Sequence, residues 1–141
     1  MNETINEIIS VRKAIAEAML EFYIKTGVEN MQIPVVCRLL QNSYWAHDRS
    51  DVIIEKSMQK SDCYGAFLIK TGQQIGFARI VTDDATFFWL CDVIVDEKYR
   101  GYGVGKMLMA AIKDNAKYRP VQTNKYSKYK KKRKHRKSSG K

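Results

Sequence analysis

Arg100-Gly101-Tyr102-Gly103-Val104-Gly105-Lys106 is the stretch on which the fold of this chain turns. It follows an apolar, strand-like run, Thr86–Val95. It opens an apolar stripe at helical spacing, Val104, Met107, Leu108, Ala111 and Ile112. Three glycines at alternate positions carry a high entropic cost on folding. They suit a backbone that must pass close to something bulky. A glycine-rich turn at the head of a helix also offers free N–H groups and the positive end of the helix dipole, and both favour a phosphate. A ligand-free strand-to-helix turn needs only two glycines, so the third is surplus.

Two familiar phosphate loops do not fit. A P-loop needs G-x-x-x-x-G-K followed by Ser or Thr. Here Lys106 follows Gly105, but Met107 stands where the hydroxyl belongs, and Gly101 is one residue too close. A dinucleotide turn needs G-x-G-x-x-G. Counted from Gly101 the third glycine falls on Lys106, and counted from Gly103 it falls on Leu108.

At 141 residues the chain has the size of one domain, with 45% apolar residues. No apolar run approaches the roughly 18 residues of a membrane span. The first residues, Met-Asn-Glu-Thr, are acidic, unlike a signal or transit peptide. Cys37, Cys63 and Cys91 are odd in number and widely spaced, so neither a metal site nor a disulfide follows, and reduced thiols in a cytoplasmic protein are expected. The net charge of +10 is unevenly held. Residues 113–141 carry 13 Lys or Arg against one acid, whereas residues 1–112 carry 12 against 14.

Working outward, Ile5, Ile8, Ile9, Ile15, Ala16 and Met19 predict an amphipathic helix over 4–19. Leu20, Phe22 and Ile24 alternate with polar residues up to Thr26-Gly27. They read as a strand at 20–25 or as a continuation of the helix. Pro34 suits a helix start, with its stripe ending near Tyr44-Trp45. A second helix spans about 51–60. Three strands follow at 64–70, 74–81 and 86–95, the last the most apolar and so expected at the centre of the sheet. The helix after the glycines is expected to fray by Tyr118. Beyond Val121 apolar periodicity is lost, and residues 119–141 are expected to form a basic, disordered tail.

On Arg100, Gly103 and Gly105, which satisfy Gln/Arg-x-x-Gly-x-Gly/Ala, the chain resembles the GNAT superfamily of N-acetyltransferases. The order helix, helix, three strands, Gly-rich turn, helix is similar to that family's core. Tyr44-Trp45-Ala46 with Arg49, Gly76-Phe77-Ala78-Arg79, Val81-Thr82-Asp83 and Asp92-Val93-Ile94-Val95 resemble a bacterial subgroup. The resemblance covers about 20–115. It implies an α/β (α+β) fold with a mixed, mostly antiparallel sheet and helices on both faces.

The resemblance also implies transfer of an acetyl group from acetyl-CoA, as co-substrate and without a metal, to a primary amine. Val93, Ile94 and Val95 would grip the pantetheine arm, as a peptide adds to a sheet edge. An N–H near Val93–Ile94 would polarise the thioester carbonyl. Arg100, Gly101, Tyr102, Gly103, Val104, Gly105 and Lys106 would hold the pyrophosphate. Tyr44, Trp45 and Arg49 lie where the acceptor pocket begins. A base is needed to free the amine. Asp92 stands on the strand beside the thioester and is the catalytic candidate, although an Asp there also serves as a local hydrogen-bond acceptor. Asp83 reads as a turn residue and His47 as a solvated one.

The family's later strands and helix are not recognisable after Ala116. Two explanations stay open: a homodimer in which a second subunit supplies them, or a truncated chain that holds CoA without turning it over. Residues 125–137 carry lysines beside Tyr126 and Tyr129, a composition able to bind nucleic acid as a rival function or to remain solvated.

Overall fold

Apolar runs bounded by turns give four strands, and periodic stripes give four helices, in a computed structural model that describes residues 2–118. In chain order these are α1 (Asn2–Met19), β1 (Phe22–Thr26), α2 (Ile33–Gln41), α3 (Asp51–Gln59), β2 (Asp62–Leu68), β3 (Gln74–Thr82), β4 (Phe88–Val95) and α4 (Val104–Asp114). Among the described residues the strands form one antiparallel sheet in the order β1-β2-β3-β4. The tail expected at 119–141 lies outside the described residues.

Side chains alternate across the sheet and divide the core in two. Phe67, Phe77 and Ile94 point to one face, where α2 and α3 cover them with Val36, Leu40, Ile54 and Met58. Ala66, Ile75, Ala78 and Ile80 point to the other, under Val104, Leu108 and Ile112 of α4. Gly76 lets α4 come this close: a Cβ there would stand 3.2 Å from Val104 and 3.3 Å from Leu108. Helices on both faces of a largely antiparallel sheet are what the sequence leads one to expect.

Local chemistry fixes the helix ends. Ser50 caps α3 by accepting from the Ile53 N–H. At the head of α2, Pro34 occupies the first turn. There Gln32 and the fully buried Gln74 exchange backbone-to-side-chain bonds of 2.8 and 3.0 Å. That exchange ties α2 to the β2–β3 hairpin.

Two expectations need correction. The run at 86–95 is not central: β4 has β3 on one side and no partner strand on the other among the described residues. Its apolar character reflects helices packed on two faces, not a place in the hydrogen-bond order. The helix from Pro34 stops at Gln41, and Tyr44-Trp45 lie in the turns beyond it. The helix after the glycines is over before Tyr118, in line with the expectation. Although α4 ends at Asp114, Tyr118 is buried against Phe88, and its hydroxyl donates to Asp62 at 2.6 Å. Lys117 bridges Asp62 and Asp84 beside it. Helix α1 exposes every residue from Glu3 to Val11, including Ile5, Ile8 and Ile9.

Candidate active site

Gly101 and Gly103 adopt φ of +88° and +84°, a region that side chains disfavour, and this bends β4 into α4. The first intrahelical bond of α4 runs from the Met107 N–H to the Gly103 carbonyl at 3.0 Å. The N–H groups of Val104, Gly105 and Lys106 precede it and have no acceptor within the helix. They border a hollow of about 410 Å³ whose rim includes Val95, Arg100, Gly101, Gly103 and Lys106. The Val104 side chain points into the core and anchors the turn. Tyr102 faces a neighbouring apolar hollow with Phe22, Ile69 and Met107. Arg100 lies exposed, its Nε donating to the Val95 carbonyl at 3.2 Å.

Gly105 stands apart from the other two. Its φ is not positive, and the nearest atom to an added Cβ is a Val95 methyl at 3.8 Å, ordinary contact. Inside a helix glycine costs up to about 1 kcal/mol relative to alanine. Nothing among the described residues requires that cost.

β4 carries a bulge. Ala78 pairs with Val93, and Ile80 pairs with Leu90, so Cys91 and Asp92 together oppose the single residue Arg79. The bulge keeps Leu90 and Val93 on the α4 face and turns Asp92 towards α2. Beyond it, the Asp96 N–H donates to the Ile75 carbonyl at 2.7 Å. Alternation then aims the Ile94 N–H at β3 and those of Val93 and Val95 at the free edge. Of the three residues named for the pantetheine arm, Val93 and Val95 turn their N–H groups to the edge that has no partner strand among the described residues, and the Ile94 N–H faces β3.

Asp92 is 2% exposed and lies at a junction of three elements. Its Oδ2 accepts from Arg49 Nη1 and Arg79 Nε, each at 3.0 Å, and its Oδ1 from the Trp45 indole at 3.3 Å. Burial pushes its pKa up, but the hydrogen bonds and charges of Arg79 and Arg49 outweigh burial and hold it below the ordinary carboxylate value. A carboxylate so held takes up a proton poorly, which runs against the expectation of a base. Trp45 and Tyr44 meet edge to face at 5.2 Å, and Tyr44 is 87% exposed. Three of the sequence's acceptor-side residues therefore converge around Asp92 or beside it. Arg79 was missed as a site residue. Its signal was a single cation in one apolar strand matched by a single anion in the next.

The other candidates lie elsewhere. Asp83 folds back on its own loop and accepts from the N–H groups of Ala85, Thr86 and Phe87, which with the Thr86 hydroxyl depresses its pKa. His47 contacts the Tyr44 carbonyl at 3.0 Å on the surface. Among the described residues no cluster of three or more His, Cys, Asp or Glu is placed to hold a metal, and no helix is long and apolar enough to cross a membrane.

The family model described as an acetyltransferase (GNAT) domain matches residues 60–137. The chain belongs to the GNAT acetyltransferase family. The match spans the bulged strand, the glycine turn and α4. It also takes in 119–137, which the sequence reading set aside as tail. Among solved structures, a GNAT-family putative acetyltransferase from Xanthomonas campestris is 31% identical, over 74% of this chain and 70% of its own, with a TM-score of 0.65. Ribosomal-protein-alanine N-acetyltransferase from Brucella melitensis is 20% identical over 68% of this chain and 72% of its own, TM-score 0.55. A probable acetyltransferase from Staphylococcus aureus is 21% identical over 64% of this chain and 66% of its own, TM-score 0.53. The last two show likeness of fold alone. No curated protein sequence matches the chain. As a GNAT protein, it is an acyltransferase by descent, of a family that generally uses acetyl-CoA.

Proposed function

We propose that this protein moves an acetyl group from acetyl-CoA to a primary amine by direct attack. The observation that carries the reading is Gly105, a glycine in the first turn of α4 that no contact among the described residues requires, on the rim of a hollow bordered by N–H groups without a helical acceptor. Those N–H groups, the helix dipole and the cations Arg100 and Lys106 would receive the pyrophosphate. The outward N–H groups of Val93 and Val95 would pair with the amide-bearing arm, as a strand pairs with a sheet edge. The bulge at Cys91–Asp92 interrupts the ladder where the thioester would lie, and the Val93 N–H would face its carbonyl oxygen.

In the transfer, the amine nitrogen bonds to the acetyl carbon and the carbon–sulfur bond breaks. The proton lost from nitrogen balances the proton gained by the departing thiolate. The amine must arrive neutral. Asp92 is a positioning residue in this reading, holding Arg49, Arg79 and Trp45 together. The positive field of the two arginines lowers the pKa of a nearby ammonium and eases its deprotonation by water.

The test is a thermal melt of the purified chain with acetyl-CoA, followed by assay of free CoA thiol over a panel of amines. A ligand a hundredfold above its Kd adds about 2.7 kcal/mol of stability, so the melting temperature should rise clearly. No rise, or a rise without thiol release from any amine, would sink the acetyl-transfer reading.

A further inference from the structure

The charges around Asp92 do not balance. Arg79 is doubly engaged, giving Nε to Asp92 and Nη1 to the Ser61 hydroxyl, each at 3.0 Å. Arg49 gives only Nη1, to the Asp92 oxygen already shared with Arg79. Among the described residues its guanidinium makes no other hydrogen bond, and its side chain is 30% exposed. A guanidinium holds five N–H donors in a flat fork shaped to grip an oxyanion. One carboxylate against two arginines leaves one positive charge, and the solvent-facing part of it belongs to Arg49.

The neighbouring acids do not neutralise it. Asp51 accepts from Gln41, and neither Asp48 nor Asp51 pairs with Arg49. Trp45, which donates to Asp92, and Tyr44 beside it leave aromatic surface exposed nearby. An acceptor bearing a second cation would meet the repulsion of the Arg49 guanidinium there. An acceptor bearing an anion would meet an unused fork.

We infer that Arg49 captures an oxyanion belonging to the acceptor itself, so the substrate is a small amine that also carries a carboxylate or a phosphate group. The inference rests on the acetyl-transfer reading for what happens to the amine, but the binding claim stands on Arg49 alone. Loss of the oxyanion leaves buried or half-buried donors unmatched, a kind of mismatch that sites discriminate against strongly.

The experiment uses the full chain loaded with CoA and matched pairs of amines: phenylalanine against phenethylamine, and ethanolamine phosphate against ethanolamine. Calorimetry measures binding, and thiol release from acetyl-CoA measures turnover. At least one oxyanion-bearing member should bind tenfold or more tighter than its partner that lacks the oxyanion. The pair with the larger gap identifies carboxylate or phosphate. Arg49→Gln should erase that gap in the Kd read by calorimetry, with CoA affinity kept within about twofold, whatever it does to turnover. Arg49→Lys, which keeps the charge without the fork, should retain part of it and serves if Arg49→Gln folds poorly. Equal binding within every pair, or no binding by any member, would overturn the inference. Oxyanion-selective binding without turnover would uphold it while sinking acetyl transfer.

Discussion

Gly105 supplies a variant whose two readouts should move in opposite directions. Gly105→Ala adds a methyl that meets only Val95 at ordinary contact and removes backbone freedom from the unfolded chain. The ligand-free protein should gain about 0.5–1 kcal/mol in chemical denaturation. If the proposed pyrophosphate site is right, acetyl-CoA affinity should fall at least tenfold, because the methyl would stand in its path. A variant that is more stable and binds as before would remove the main support for a ligand at this turn. Asp92 offers a separate check through pH. Its folded pKa lies below the ordinary value of about 3.9. The stability it contributes is therefore complete above that value and is lost as the pH falls through the folded pKa. Asp92→Asn should cost about 2–3 kcal/mol near neutrality, since it leaves two arginines facing a neutral group. The gap between wild type and Asp92→Asn should hold from pH 7 to about 5 and narrow below about 4. Urea melts across that range measure it, and a gap that widens in acid would contradict the ion-pair account.

Among the elements, α4 and β4 carry the site, and each is held at both ends. The head of α4 is set by Gly103 and by Val104 in the core. Its far end is set by Asn115 donating to the Tyr64 hydroxyl at 2.8 Å and by Tyr118 donating to Asp62. Tyr118→Phe keeps the ring against Phe88 and deletes only the hydroxyl, so it should cost about 1–2 kcal/mol. Hydrogen exchange should place the loss in the last turn of α4 and the start of β2. A loss confined to β4 would show that the Tyr118–Asp62 bond is not what fastens the helix. The parts of α4 that were legible in the sequence are those with a period: its stripe and its opening glycines. The bulge in β4 was not legible. Phe88 and Leu90 share a face with Val93 and Val95, which a strict two-residue alternation forbids. With Trp89, Cys91 and Ile94 also apolar, the run as a whole hides that change of parity. Arg79 and Asp92 did announce themselves, as lone charges in adjacent apolar strands, but their pairing needed the bulge to bring them level. Tyr118 was illegible because its contacts are to Asp62 and Phe88, far away in the chain.

For the molecule as a whole, charge and apolar surface are distributed by function rather than evenly. The body up to residue 112 is slightly acidic, yet it gathers Arg49 and Arg79 on one side of β4 and Arg100 with Lys106 at its end. Anion-seeking chemistry is thus focused along a single strand in a nearly neutral background. Of the three thiols, Cys37 and Cys63 are buried, and burial first of all pushes each up to about 11. Thiolate is the reactive form, so buried Cys37 and Cys63 should be alkylated much more slowly than Cys91 near neutral pH. Cys91 is the half-exposed one, and it sits in the bulge itself. The protein therefore contains its own attachment point for a fluorophore, in the bulge beside the proposed thioester site. Dye chemistry on the unaltered chain should follow the arrival of acetyl-CoA in real time.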